Sequence, residues 1–370
     1  MSFLDTQSIK RPKTKGRLHW SIRESAQRSL EAVIPSLQIT LAATAAYFAA
    51  HLGLGHAIPF LAVTVTITSL GLTRDARPKR ILQTALGMVS GIAISELMLL
   101  TFGQGIWQLP TLMIFVLLAA RFVTNSATFA LAATTQSVLV YLTVAPAGGP
   151  FVRSIDGLVG AAVSLLATAL IPRDPRGMAR KDAQKLFEVF LETLGATRGV
   201  LRSTDVASAD ATLLTVRRTQ PLLDNWRMSL DSAISISRVS PFLRKHRDDL
   251  LGQTRLLRGM DLATRNLRVV VRRVDFLIRD GQARPYLAEL LGQIEEATKV
   301  LFQGIDDRER QEDAIELFTE IIHQLDPKRF GIADQLREAS VLLLLRPLLV
   351  DLLCASGLSE DEARAELPEI

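Results

Sequence analysis

Long apolar runs fill the first half of this sequence, and amphipathic helical patterns fill the second half. The apolar runs are separated by short turns that contain glycine, proline or basic residues. A helix needs roughly 20 residues to cross a bilayer core, and lipid requires that its backbone polar groups be satisfied internally. The pattern predicts six transmembrane helices, at residues 32–52, 56–72, 80–102, 107–122, 126–144 and 152–171.

After the last apolar run, charged residues alternate with leucine, isoleucine and valine at helical spacing. This pattern predicts helices at 176–203, 208–238, 242–280, 284–304, 308–324 and 333–355. The leucine-rich stretch 341–353 contains Arg346, Pro347 and Asp351 and is short for a span, so we expect it in the core of a soluble bundle. The predicted fold is therefore all-α, with a basic cytosolic N-terminal segment (1–30), a six-helix transmembrane domain (31–172) and a cytosolic helical domain (173–370).

Charge agrees with this division and orients it. The chain has 370 residues and a net charge of +5, but residues 32–172 carry only nine charged side chains. Lysine and arginine crowd the N-terminal tail, the 74–80 loop, Arg121 and the 173–181 segment, whereas the loops at 53–55, 103–106 and 145–151 have neither. By the positive-inside rule both termini are cytoplasmic. The excess of lysine and arginine is explained by the orientation of the chain in the membrane, so we expect no nucleic-acid partner.

Two of the predicted spans share a motif. Arg80 precedes Gly87 by seven residues, and Arg153 precedes Gly160 by the same interval. Because three crossings reverse the direction of the chain, the pattern suggests a 3+3 inverted repeat, an arrangement found in transporters. Seven residues are assigned to topology and helix packing on this basis: Arg74, Arg77, Arg80, Thr84, Gly87, Gly91 and Gly160.

The sequence contains none of the motifs that define nucleotide-binding loops, zinc proteases or serine hydrolases. The single cysteine, Cys354, excludes an internal disulfide. His51 and His56 have no third ligand nearby, so they are better explained as interfacial histidines than as metal ligands. We therefore expect no enzyme activity, no cofactor and no metal.

Polar residues within or beside the spans are the candidates for a substrate or ion pathway, because ionisable groups at membrane depth normally face a cavity or a partner. Arg121, with Asn125, either attracts anions at an inner vestibule or only fixes the membrane topology by contacting lipid phosphate. Arg153 and Asp156, three residues apart, are expected to pair, although Arg153 also suits an outer anion port. Glu96 suits a proton-coupling carboxylate or a partner for Arg153. Gln136 offers hydrogen bonds to a substrate or to a neighbouring helix.

A basic stripe in the soluble domain has two explanations. Arg258, Arg265, Arg268 and Arg272 recur at helical spacing. They form either a site for an anionic ligand or lipid headgroup, or a solvated face that pairs with acidic residues between Asp306 and Glu316. The second explanation is favoured, because long helices in bundles usually carry such faces.

Two motifs in this layout resemble a known family. The third span reads RILQTALGMVSG and the sixth reads RSIDGLVGAAVSLLATALIP. With a helical tail, they resemble the fusaric-acid-resistance and aromatic-acid-exporter superfamily, to which plant aluminium-activated malate transporters are related. The resemblance implies a bacterial inner-membrane protein, a homodimer, inverted repeats and transport of organic anions.

Two functions follow as hypotheses. The first is an exporter or channel for small organic anions, with aromatic carboxylates as one class. The alternative is a non-transporting membrane scaffold whose cytosolic helices bind a partner. A polar cavity lined by Glu96, Arg121 and Gln136 would favour transport, whereas a close-packed apolar bundle would favour the scaffold.

Overall fold

The computed structural model describes residues 22–71, 78–143, 149–170, 175–238, 240, 246–332 and 335–369. Arg74 and Arg77 lie outside these residues. The described part is helical throughout, apart from turns and loops, and contains no strand. Its α-helices are α1 Ile22–Leu54, α2 Phe60–Leu70, α3 Pro78–Phe102, α4 Gln108–Val123, α5 Ala127–Leu142, α6 Val152–Leu170, α7 Pro175–Ser203, α8 Val206–Arg217, α9 Gln220–Ser237, α10 Arg247–Ile278, α11 Pro285–Gln303, α12 Arg308–Ile322, α13 Leu336–Ser356 and α14 Glu360–Ala365.

The helical pattern of the sequence is confirmed, with two corrections. The predicted helix 208–238 is two helices, α8 and α9, because the chain turns at Thr219 and restarts with Pro221 in the first turn of α9. The short helix α14 was not predicted. It begins at a capping box in which Ser359 and Glu362 satisfy each other's backbone N–H groups.

Length separates the predicted spans into two groups. The Ala32–Leu54 part of α1, all of α3 and all of α6 are long and apolar enough to cross a membrane. By contrast, α2, α4 and α5 have 11, 16 and 16 residues, fewer than a perpendicular crossing of a 30 Å core requires. The chain is a multi-pass helical membrane protein, and the count of six spans stays a prediction.

The helix α13 also meets the length and hydropathy of a span, but its surroundings differ. It packs along α10 and α12 and contributes to the large apolar core of the second half of the chain. Its polar residues have partners there: Arg346 donates to the Leu325 and Pro368 carbonyls, and Asp351 accepts from Asn266. These contacts favour a core helix of the bundle.

The packing of the first six helices is symmetric between the two halves with one exception: α2 packs on α3, whereas α5 and α6 have no contact of that extent. In this comparison α1, α2 and α3 correspond to α4, α5 and α6. The α3–α5 contact then corresponds to the α6–α2 contact, and the α1–α2 contact corresponds to the α4–α5 contact. The α1–α6 contact corresponds in the same way to the α4–α3 contact. The α3–α6 contact joins the equivalent third helices of the two halves. This is the pattern that two repeats of three helices would produce.

Glycines create two equivalent close contacts in this packing. A Cβ added to Gly87 would lie 2.6 Å from the Phe129 carbonyl oxygen of α5, and one added to Gly160 would lie 2.5 Å from the Ala62 oxygen of α2. Phe129 and Ala62 are each the third residue of their helix. The paired glycines therefore allow equivalent close approaches of helix backbones in the two halves.

Candidate functional site

The six-helix bundle has two chemically different ends. One end, here the basic end, contains the C-terminus of α2, the N-terminus of α3 and the α4–α5 turn with Arg121. The other, here the far end, contains the α1–α2 linker, the α3–α4 linker and the N-terminus of α6. Each end holds a cluster of polar side chains, and the two clusters are built differently.

At the basic end, a cavity of about 420 Å³ lies between α2, α3 and α5. Arg80 supplies its positive charge, and Thr68, Ser69, Thr84, Thr128, Thr135 and Gln136 supply hydroxyl and amide groups. Its apolar wall includes Ile81, Met88 and Leu131. The described lining residues include no aspartate or glutamate. A cation, neutral hydrogen-bonding groups and an apolar wall together suit a small anion with an apolar body.

Two buried polar atoms of lining residues have no protein partner. Ser69 is 6% exposed and Gln136 is 4% exposed, and neither the Ser69 hydroxyl nor the Gln136 amide nitrogen forms a hydrogen bond within the described structure. A buried donor without a partner costs about 1–3 kcal/mol. Their position in the wall of a polar cavity means that a bound ligand or water would satisfy them.

Local sequence explains how the cavity forms. The α2 helix ends at Ser69-Leu70 because Gly71 has φ +48°, a conformation that glycine adopts readily. Arg80 lies in the first turn of α3, and the Thr84 hydroxyl donates to the Arg80 backbone carbonyl at 3.0 Å. Gly87, one turn further along, brings α3 against α5. The cavity occupies the space between the ends of these helices.

The structure places the other predicted pathway residues elsewhere. Arg121 and Asn125 are exposed, and the Arg121 guanidinium donates to the Asn125 carbonyl at 2.9 Å. Neither residue lines the cavity. A transport cavity was expected to be lined by Glu96, Arg121 and Gln136, and of these only Gln136 lines the observed cavity. Arg80 and Thr84, which were assigned to topology and helix packing, line it as well. Ser69 was not anticipated; its one signal in the sequence is a hydroxyl at the end of an apolar helix.

At the far end, Glu96 and Arg153 lie in a closed polar cluster. Glu96 accepts hydrogen bonds from the Ser154 backbone N–H at 3.2 Å and from the Ser154 hydroxyl at 2.5 Å. Arg153 donates to the Val140 and Thr143 carbonyls, each at 3.0 Å, and interacts electrostatically with Glu96. Glu96 thus caps the N-terminus of α6, while Arg153 caps the C-terminus of α5.

The expected pairing of Arg153 with Asp156 is wrong. Asp156 instead accepts from His56 Nδ1 at 2.6 Å, and His51 Nδ1 donates to the His56 carbonyl at 2.7 Å. Residues three apart share a helix face, but the guanidinium of Arg153 reaches the free carbonyls that end α5. The aspartate then faces the α1–α2 linker, where His56 is its partner.

The expected pairing of the basic stripe with the acidic helix is also wrong. On α10, Arg265 pairs with Asp261 of the same helix at 2.9 Å. On α12, Arg308 pairs with Glu312 and Arg310 with Asp313. No ion pair joins the stripe to α12 among the described residues, and the ion pairs of Arg265, Arg308 and Arg310 each form within one helix.

With this geometry, the chain belongs to the class of multi-pass helical membrane proteins. Residues 42–167 match the family model described as fusaric acid resistance protein-like. An uncharacterised protein of Corynebacterium glutamicum is 26% identical over 356 residues, which cover 94% of this chain and 91% of that protein. The resemblance to the fusaric acid resistance family is therefore confirmed for the membrane segment, and the link to plant malate transporters stays a prediction.

Proposed function

We propose that this protein is an inner-membrane transporter, either an efflux carrier or a channel, for small organic anions such as aromatic carboxylates. The observation that supports the proposal most directly is the cavity at the basic end. Its described lining combines a guanidinium, several neutral donors and apolar side chains without any carboxylate. An anion entering this space gains a cation and hydrogen bonds, and the described lining residues present no like charge.

The cavity residues divide into three roles in this proposal. Arg80 attracts and holds the carboxylate, because a guanidinium offers two parallel N–H donors to it. The Ser69 hydroxyl and the Gln136 amide bind a second polar group of the substrate, since both are buried without a protein partner. Ile81, Met88 and Leu131 contact the apolar body.

The charge distribution orients the site. Arg80 and Arg121 lie at the basic end, and the positive-inside rule assigns that end to the cytoplasm. The cavity then opens toward cytosolic substrate, the far end is closed, and both termini are cytoplasmic. A second copy of the chain, the bilayer and the organic anion are the proposed partners.

Flux measured with purified protein in liposomes tests the proposal. A panel of radiolabelled aromatic and aliphatic carboxylates is loaded, and efflux is compared with that from protein-free liposomes. We expect Arg80→Gln to reduce carboxylate flux by about tenfold or more, because a hydrogen bond to a charged group is worth about 1.5–3 kcal/mol. Gln136→Leu should change the order of preference among substrates.

Arg121→Gln is the matched control. Arg121 is also an arginine at the basic end, but it lies outside the cavity, so its removal should leave flux within about twofold. Equal flux from protein-loaded and empty liposomes for every acid would contradict transport and favour the scaffold function. Equal losses in Arg80→Gln and Arg121→Gln would show that surface charge, and not the cavity, controls flux.

A further inference from the structure

We propose that His56 and Asp156 form a proton-binding site that holds the far end closed, so that acid on that side of the membrane slows transport. The inference rests on the proposed function for its flux assay but not for its site. Both side chains are largely buried, with exposures of 15% and 5%. They join the α1–α2 linker to the N-terminal turns of α6 across 100 residues of sequence.

The net charge of the pair depends on one proton. With neutral histidine and ionised aspartate, Nδ1–H donates to the carboxylate and the pair carries a charge of −1. With one more proton on the imidazole, the same hydrogen bond becomes an ion pair and the total charge is zero. Burying a net charge costs far more than burying a neutral, hydrogen-bonded pair. Proton binding therefore stabilises the closed far end, and proton release favours its opening to water.

The other charged and titratable groups described at the far end each have a hydrogen-bond or charge partner within it. Glu96 of α3 holds both donors of Ser154 and lies beside Arg153 of α6, which is itself bonded to the end of α5. His51 of α1 bonds the His56 carbonyl and stacks on Tyr47. The Tyr141 hydroxyl of α5 bonds both backbone groups of Gly105. Among the described groups of the far end, the His56–Asp156 pair is the one in which two titratable side chains share a single hydrogen bond.

The structure also explains why this contact controls access. The packing of α3 with α5 and of α6 with α2 is symmetric, yet the basic end holds a cavity and the far end holds a closed polar cluster. His56 lies in the linker that leads into α2, and Asp156 lies in α6, the helix that packs against α2. Breaking their bond removes a connection between two helices that would have to separate to open the far end.

Two substitutions have opposite expected effects. Asp156→Asn removes the negative charge of the pair while His56 is neutral, so carboxylate flux should be low at about pH 8, where wild-type flux is high. His56→Asn keeps a donor near the position of Nδ1 but cannot take up a proton, so flux should stay high even in acid. A purely structural role would lower flux in both variants. His51→Asn is the matched control and should keep the wild-type profile.

The flux assay uses reconstituted full-length protein, with the pH on the far-end side varied from about 8 to about 5, the range in which histidine titrates. Wild-type flux should fall as the external pH is lowered, because proton binding favours the closed far end. The internal pH is held constant. A wild-type flux that ignores external pH, or a pH dependence that survives in both variants, would overturn the proposal.

A labelling experiment tests the site without transport. In a Cys354→Ser background, Ala62→Cys places a thiol in α2 at a fully buried position that packs against Val159 of α6. A membrane-impermeant thiol reagent should label it at about pH 8 and spare it at about pH 5, relative to Ile106→Cys, which is 98% exposed. His56→Asn should abolish the protection. If no carboxylate is transported but this labelling pattern is observed, the proposed function fails and the proton site stands. If the introduced cysteine is labelled equally at both pH values, the proton site is overturned.

Discussion

At the scale of single residues, the closest approach in the membrane segment depends on a missing side chain. A Cβ on Gly91 would collide with the backbone carbonyl of Ala133 on α5. Because the obstacle is backbone and not the end of a flexible side chain, the two helices would have to separate. The α3–α5 contact is the most extensive one between the membrane helices, so separation would disturb the bundle as a whole.

We therefore expect Gly91→Ala to destabilise the membrane segment by about 1–3 kcal/mol, measured as a loss of thermal stability in detergent. Gly199→Ala is the control, since a Cβ at Gly199 of α7 meets nothing within 4 Å. An exposed helix interior gains up to about 1 kcal/mol from such a change. Equal melting temperatures for the two variants would contradict the close contact.

Asp351 provides a pH-dependent test in the helical bundle of the second half of the chain. Burial raises the pKa of Asp351 to about 6, helped by the negative charge of Glu360 and opposed by the hydrogen bond from Asn266. An unfolded aspartate titrates near 3.9, so the folded state binds more protons between about pH 4 and 6. By linkage, this residue lowers stability as pH rises through that window.

Asp351→Asn should accordingly stabilise the bundle at about pH 7 by roughly 1–2 kcal/mol, discounted for partial exposure, and have little effect near pH 4. Denaturant unfolding followed by circular dichroism at both pH values measures the difference. Asp231→Asn, on the exposed face of α9, should change stability by less than about 0.5 kcal/mol at either pH. The idea fails if Asp351→Asn has the same effect at both pH values.

At the scale of helices, α13 is where composition and environment disagree. It has the length and hydropathy of a span, yet Arg346 and Asp351 bond to groups within the bundle. Its close contact with α10, where a Cβ on Gly259 would lie 2.5 Å from Ala355, places it against a helix rich in arginine. We expect it to stay out of the membrane.

Reporter fusions measure this directly. Green fluorescent protein fused after Glu369 should fluoresce, and alkaline phosphatase at the same point should be inactive, because both report a cytoplasmic C-terminus. Phosphatase inserted after Gln104, in the α3–α4 linker, should be active and serves as the control. An active phosphatase after Glu369 would mean that α13 crosses the membrane and that the predicted topology is wrong.

Helices were predictable from sequence, because the lipid and the bundle core each select for periodic apolar residues. The cavity was not, because its lining depends on which helices are neighbours. Arg80 was interpreted as a topological marker, since a cation beside a span has that role in most membrane proteins. Only the packing of α3 against α2 and α5 shows that it shares a cavity with Ser69 and Gln136. Likewise, the partner of Asp156 lies 100 residues away, beyond any local spacing rule.

At the scale of the whole molecule, the apolar core is divided. One large cluster of buried side chains runs from Ala179 to Ala363, whereas the membrane helices form four small clusters of their own. None of these clusters joins residues from both halves among the described side chains. The second half therefore has the buried core that an independently folding domain needs.

A fragment of residues 175–370 should thus be soluble, helical and cooperative in unfolding without the membrane segment. Circular dichroism and sedimentation of the purified fragment test this expectation, with the full-length protein in detergent as reference. Arg284→Ala should abolish cooperativity or cost about 3–5 kcal/mol, because it leaves Asp280 and Glu338 without their shared partner. An aggregated fragment with no cooperative transition would contradict the division at residue 175.

The helix α6 links the far end of the membrane segment to the second half of the chain, so that tilting one end of the helix displaces the other. Its first turns carry Arg153, Ser154 and Asp156, which hold the far end, and its last residue, Leu170, is separated from α7 by four residues of sequence. A rigid helix of 19 residues is about 28 Å long, so a tilt of about 10° at one end displaces the other by about 5 Å. Opening at the proposed proton site would therefore move the start of the second-half bundle, and a ligand that stabilises this bundle would in turn resist opening of the far end.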